Sequence, residues 1–210
     1  MDNVFDNFLT DNGLNTLLFY NPYPKLCFTS MITSFFKKTI YLDLDTTFTA
    51  YANSGFILNY SPKTILLVTP DEGELEFLLD QIISNSTRSS LIIIDSLNSF
   101  YNLYYKKINW NYFKGISNVQ HILSNFLMLL LKHCNSIKIP ILVTSMMRYK
   151  KKENWVKLPA NRRFLQKKSD VVFYVEMFNE NDLSVDILVH PFLSTKKLVV
   201  KNHEISIVCI

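Results

Sequence analysis

The run Leu91-Ile92-Ile93-Ile94-Asp95-Ser96 places a carboxylate and a hydroxyl at the end of an unbroken apolar stretch. A strand of that kind belongs inside a sheet covered on both faces, and its C-terminal end opens on the crevice where α/β proteins hold their ligands. In phosphoryl-transfer enzymes an acid at that place holds a magnesium shell. A second segment, Leu42-Asp43-Leu44-Asp45-Thr46-Thr47-Phe48, ends another strand pattern and brings further carboxylates toward the same crevice. Any buried strand can end at an aspartate, so it is the pairing of the two segments that carries weight.

The other feature with chemical content is a concentration of charge. Between Arg148 and Lys168, 21 residues hold nine bases (Arg148, Lys150, Lys151, Lys152, Lys157, Arg162, Arg163, Lys167 and Lys168) against one acid, Glu153. That window is net +8 in a chain of net +4, so the remaining 189 residues are net −4. A mildly acidic body with one basic segment has the electrostatic footprint of a polyanion binder. The competing reading is a solvated lysine-rich loop. Other chemistries find no support. His121, His133, His190 and His203 lack metal-ligand spacing, and Cys27, Cys134 and Cys209 form no CxxC pair and lie in apolar surroundings. No GxSxG elbow is present, and the sequon Asn85-Ser86-Thr87 has no secretion signal to give it a setting.

These groups need a scaffold, and the periodicities supply one. Thr16–Tyr20, Thr39–Leu44, Thr64–Thr69, Leu91–Asp95 and Ile139–Ser145 read as short apolar strands. Helical stripes lie between them. Phe28, Met31, Ile32, Phe35 and Phe36 form one, and Leu75, Leu78, Leu79, Ile82 and Ile83 another; Val119, Ile122, Leu123, Phe126, Leu127, Leu130 and Cys134 are the cleanest. Thr69-Pro70-Asp71-Glu72 reads as a capping box that opens the helix after the third strand. After Lys168 the texture changes to strands with short polar turns, at Asp170–Met177, Ser184–His190, Lys196–Lys201 and Glu204–Ile210. The expectation is an α/β fold: a mostly parallel central sheet, helices on both faces and an antiparallel C-terminal extension. At 210 residues and 48% hydrophobic content, one domain spanning 1–210 is expected. No apolar run approaches the roughly 20 residues of a membrane span, and Met1–Thr10 lacks a basic n-region, so a soluble intracellular protein is expected.

The order of these parts resembles the core of the RecA, RadA and KaiC superfamily over nearly the whole chain. Members have a strand running into a phosphate loop, a segment like IDTEGTF, a strand like LIVIDS and a strand ending in TNQ. The counterparts here are Thr16–Lys25, Leu42–Phe48, Leu91–Ser96 and Leu142–Met146.

The departures from that pattern are equally informative. In place of G-x-x-x-x-G-K-[ST] stands Tyr20-Asn21-Pro22-Tyr23-Pro24-Lys25-Leu26-Cys27. It has no glycine to let backbone amides close around phosphates, and both prolines lack an amide donor. Lys25 occupies the place of the phosphate-binding lysine, but no hydroxyl for magnesium follows it. Asp45 stands where the resemblance places a catalytic glutamate, and Met146 where it places a glutamine. ATP hydrolysis is therefore not expected, no cofactor is expected, and Lys25, Asp43, Asp45 and Asp95 are expected to be a remnant nucleotide site.

The resemblance also implies two mobile loops that contact single-stranded DNA. The first corresponds to Phe100–Lys114, with Lys106, Lys107 and several aromatics, for which a partner surface around Tyr104–Phe113 is an equal reading. The second is the basic segment, where Arg148, Lys150, Lys151, Lys152, Lys157, Arg162 and Arg163 would contact phosphates while Tyr149 and Trp155 stack or pack. Matches and departures together imply a non-catalytic recombinase paralogue resembling the Shu-complex type of accessory subunit. It would bind single-stranded or forked DNA beside a RecA-family partner, in the nucleus of a eukaryote or otherwise in the cytoplasm. Two alternatives stay open: an unusual RecA- or KaiC-like ATPase or signalling protein, and a scaffold whose basic loop binds an acidic protein.

Overall fold

β1 (Leu14–Phe19) is buried at every position and passes through Asn21 into α1 (Pro22–Ser34). The Asn21 side chain accepts from the Tyr23 backbone N–H, and Pro22 sits at the first helical position, where a missing N–H costs nothing. There follow β2 (Thr39–Asp43), α2 (Thr47–Asn53), β3 (Ile65–Val68), α3 (Leu75–Ser86), β4 (Leu91–Asp95), α4 (Leu97–Trp110) and α5 (Ile116–Ile137). The chain ends with β5 (Ile141–Lys151), β6 (Trp155–Pro159), α6 (Arg162–Lys168), β7 (Ser169–Met177), β8 (Asp182–Val189) and β9 (Lys197–Lys201). This is a computed structural model, and it describes residues 8–57, 60–69, 75–110, 116–151, 154–193 and 197–201.

The strands form one sheet in the order β3-β2-β4-β5-β1-β7-β8-β9, with β6 paired to β5 off that path. Pairing is parallel from β3 to β7 and antiparallel from β7 through β8 to β9. Alternate residues of each central strand feed two cores. Ile40, Leu42, Ile92, Ile94, Ile141 and Val143 pack with α3, α4 and α5, while Tyr41, Leu91, Ile93 and Leu142 pack with α1 and α2 on the opposite face. Two buried faces explain why LIIID reads as a continuous apolar run. The α5 stripe behaves as its period demands, with Leu127 and Leu130 fully buried, each burial worth about 1.5–3 kcal/mol.

The expected strands and the antiparallel extension are present with boundaries shifted by a few residues, except Glu204–Ile210, which lies outside the described residues, as do Pro70–Glu72 of the capping box. α2 has no counterpart in the sequence reading. Two further expectations need correction. Phe100–Trp110 is no loop but the body of α4, because Leu97, Phe100, Tyr101 and Tyr104 recur at i, i+3, i+4 and i+7 and seat that stripe in the core. Tyr104 is only 7% exposed and offers nothing to a partner; the side chains of Tyr105–Trp110, and Asn111–Lys114 altogether, lie outside the described residues. The basic segment is likewise structured: β5 runs on past the sheet and folds back as an antiparallel hairpin with β6, followed by α6.

At the start of β1 the chain is tightly constrained. A Cβ added at Gly13 would lie 2.1 Å from Asp170 Oδ2, the atom that accepts the Leu14 backbone N–H at 3.2 Å.

Candidate functional site

The C-terminal ends of β2 and β4 and the Thr144 stretch of β5 meet beside the first turns of α1, at the place where an open parallel sheet forms its ligand crevice. Four side chains foreseen from sequence meet there. The Lys25 ammonium, 1% exposed, donates to Asp45 Oδ2 at 3.1 Å and to Asp95 Oδ1 at 2.9 Å, and lies 2.8 Å from Asp95 Oδ2. Thr144 Oγ1 donates to Asp95 Oδ1 at 2.6 Å, and the Tyr41 hydroxyl donates to Asp95 Oδ2 at 2.7 Å. The four lone-pair sites of the Asp95 carboxylate are thereby taken. Asp43 accepts from the backbone N–H and hydroxyl of Thr49 through Oδ2, each at 2.7 Å, while its buried Oδ1 has no partner. Asp45 Oδ1 accepts from the Thr47 backbone N–H and so fixes the start of α2. That start is strained: Thr46, a β-branched residue, holds φ at 59° in the left-handed region.

The electrostatics follow from burial and charge. Burial pushes the Asp43 carboxyl up to about 6, with the neighbouring Asp95 and Asp45 adding to the rise against the Thr49 hydrogen bonds. For Asp45 burial also favours the neutral acid, but the Lys25 ammonium and the Thr47 hydrogen bonds outweigh it and hold the group below its ordinary value. Lys25 is raised on the same balance, since attraction to Asp95 and Asp45 exceeds the desolvation that would discharge it.

Asp43, Asp45 and Asp95 place carboxylate oxygens within 4.8 Å of one another, a spacing that invites a cation. The cation already in place is Lys25. A nucleotide with magnesium does not fit this arrangement: the lysine that would reach a phosphate is spent on two carboxylates, Asp95 has no lone pair to spare, and Pro22 and Pro24 occupy the loop position.

The second cluster is the hairpin. Tyr149 pairs across it with Lys157, and Lys151 with Trp155, so these four share one face, while Arg148 and Lys150 point to the other. Tyr149 is 54% exposed and Trp155 67%. Lys157 is half-buried and turned inward. Its ammonium lies 4.8 Å from the Tyr20 ring centroid and 4.5 Å from that of Tyr174, and it donates to the Tyr174 hydroxyl. Tyr149 meets Tyr20 edge-on at 5.5 Å. Arg148, Tyr149, Lys150 and Arg162 line one cleft of ≈ 890 Å³ between the hairpin, α6 and the N-terminal half of α5. Lys106 and Lys107 fall on α4 and Arg163 on α6, and Lys152 lies outside the described residues.

Sequence reasoning missed the groups that tie the two clusters together. Tyr41 and Thr144 clamp Asp95, and Asn98 accepts the Met146 backbone N–H at 2.8 Å where β5 leaves the sheet. Thr144 carried a signal, as a hydroxyl closing an apolar strand; Tyr41, inside a strand run, carried none.

No protein-family model matches this sequence, and the search of curated proteins finds no match. Among solved structures the chain is similar to the crystal structure of the RadB recombinase, with a TM-score of 0.66 and 14% identity over 92% of this chain and 88% of that one. The strand order, the site at the ends of β2 and β4 beside Thr144 of β5, and this likeness agree on the fold: a RecA-like α/β core.

Proposed function

We propose that this chain is a non-catalytic, DNA-binding accessory protein of homologous recombination, working beside a RecA-type partner subunit in the nucleus of a eukaryote or the cytoplasm of a prokaryote. The observation that carries the reading is the division between the two clusters. The crevice that would serve a nucleotide is filled by an internal lysine, whereas the basic cluster is exposed and unneutralised. Among the described residues, none of Arg148, Lys150, Lys151 and Arg162 has an ion-pair partner. Cations beside exposed Tyr149 and Trp155 supply phosphate contacts and stacking platforms, the pair of features that sequence-tolerant strand binding uses. The likeness to a recombinase core supports the cellular process.

The test is DNA binding without ATP across a salt series, using single-stranded and forked substrates. The Arg148→Ala/Lys150→Ala/Arg162→Ala variant is expected to lose affinity and to flatten the salt dependence by about 0.7 in log–log slope per phosphate contact removed. Wild-type protein that fails to bind, or a variant that binds as wild type, would sink the assignment in favour of an acidic protein partner.

One observation favours the nucleotide-using alternative, the three neighbouring carboxylates with the unpartnered Asp43 Oδ1. A ligand that binds the folded state must raise its stability. A melting temperature unmoved by ATP with magnesium supports the present reading; a rise with nucleotide concentration supports the alternative.

A further inference from the structure

We infer that the interior of the cleft between α5 and the hairpin–α6 unit seats a phosphorylated segment of a partner protein, an extended peptide carrying phosphoserine or phosphothreonine. This site stands apart from the DNA-binding reading, which draws on the exposed hairpin, and does not depend on it.

The lining is divided. Arg148, Lys150, Arg162, Lys167 and Lys168, all from β5 and α6, bring positive charge to it, and no acid lines it. Among the described residues none of the five is ion-paired. Arg162 is half-buried, so part of this cation is taken from water with no anion beside it. Next to the cations lie Leu158, Pro159 and Phe164, half-buried and apolar, and the α5 wall adds Leu123 and Ser124 without formal charge. Asn161, also in the lining, makes no cap hydrogen bond at the start of α6, and its buried Nδ2 has no partner.

A ligand that matches this lining has one compact, strongly negative group on a neutral body that is partly apolar and carries amide acceptors. A phosphorylated peptide has each part. Its phosphate brings about −1.5 to −2 charge and three acceptor oxygens, which arginine meets with paired hydrogen bonds. Its flanking side chains suit the apolar lining, and a backbone carbonyl would satisfy Asn161 Nδ2. A carboxylate offers a single charge and two oxygens, a poorer match to five cations. A nucleic-acid strand repeats its charge at every unit, whereas the apolar stretch and the α5 wall carry none to meet it. The cleft volume of ≈ 890 Å³ lies within the roughly 300–1,000 Å³ of small-ligand sites, room for the phosphorylated residue and its neighbours.

The test titrates the full chain by anisotropy with a labelled peptide library that fixes phosphoserine between random residues. The same library with serine or with glutamate at that place, and a labelled oligo-dT strand, are run beside it. Ser124→Trp and Ala160→Trp each fill the cleft without changing its charge, and exposed Asn135→Trp makes the same change on α5 away from the lining. Thermal melts confirm folding, and because Ala160 is exposed that variant folds even if Ser124→Trp does not. The phosphoserine library is expected to bind about tenfold or more tighter than the other two, a preference that both filling variants lose and Asn135→Trp keeps. Oligo-dT binding is expected to stay unchanged in all three variants. No binding of the phosphoserine library, or filling variants that bind it as wild type, overturns the site. Glutamate peptides bound as tightly overturn the phosphate assignment in favour of a general acidic partner. Filling variants that lose oligo-dT to the same degree give the cleft to nucleic acid instead. Wild-type protein that binds the phosphopeptides but not oligo-dT leaves this site standing and sinks the DNA-binding reading alone.

Discussion

Asp95 accepts the Thr144 hydroxyl at 2.6 Å, and through that bond the Lys25 ion-pair centre grips β5 just before the strand leaves the sheet to become the basic hairpin. The Asn98 side chain holds the next stretch by accepting the Met146 backbone N–H. The hairpin's root is thus fixed from the crevice by groups internal to the chain.

Lys25→Ala would leave Asp95, fully buried, without its cation. Breaking a buried ion pair from one side costs about 3–5 kcal/mol, because the remaining charge stays desolvated. Urea denaturation should show that loss, and Lys25→Met combined with Asp95→Asn should recover most of it, since charge is removed from both sides. A single Lys25→Ala variant as stable as wild type would mean that the ammonium does not sit between these acids.

The Asp43 carboxyl gives the site a pH dependence. Its value rises from 3.8 to about 6 on folding, through burial first and the neighbouring Asp95 and Asp45 after it. The folded protein therefore holds a proton in that interval that the unfolded chain has released. The group favours folding below 3.8, and its contribution is lost as pH rises through about 6. Asp45 is shifted down and works in the opposite sense, losing its contribution only as pH falls below the ordinary carboxylate range. Asp43→Asn should remove the decline in stability between 3.8 and about 6 and leave the variant at least as stable as wild type at neutral pH. Denaturant midpoints across that interval decide it, and an unchanged slope in the variant would exclude Asp43 as the source.

Most of the scaffold is legible in the sequence because two-sided burial writes itself there as apolar runs, LIIID above all, and because the α5 stripe keeps its helical period from Val119 to Cys134. α2 leaves no such trace because only Phe48 and Ala52 of its seven residues are buried, too few to mark a period. In Phe100–Trp110 the family resemblance implies a loop, and following it passes over the Leu97-Phe100-Tyr104 spacing that makes the segment a helix. The acids are found from their strand ends. That Lys25 neutralises them is not, because the pairing joins α1, the segment after β2 and the end of β4, segments that only the tertiary fold brings together.

Gly13 offers a test of the β1–β7 contact. An alanine Cβ would meet the Asp170 carboxylate at 2.1 Å and force it off the Leu14 N–H. Losing that bond at the start of a buried strand is expected to cost about 1–2 kcal/mol. In an Asp170→Ala background the clash and the bond are both gone, so Gly13→Ala should cost little there. Equal costs in both backgrounds would show that the contact is not the reason for glycine.

Lys157 was expected to contact phosphate, yet its ammonium is held between Tyr20 and Tyr174 and hydrogen-bonded to the Tyr174 hydroxyl, which in turn donates to Glu176 at 3.2 Å. Such a lysine latches the hairpin to the ends of β1 and β7. Lys157→Ala should then speed protease cleavage in the hairpin while leaving the salt dependence of strand binding unchanged, because no phosphate contact is lost. Arg148→Ala should do the reverse, flattening the salt dependence by about 0.7 in log–log slope while cleavage stays slow. If Lys157→Ala flattens the salt dependence as Arg148→Ala does, the lysine leaves its aromatic cage to meet the strand, and the hairpin must rearrange when it binds.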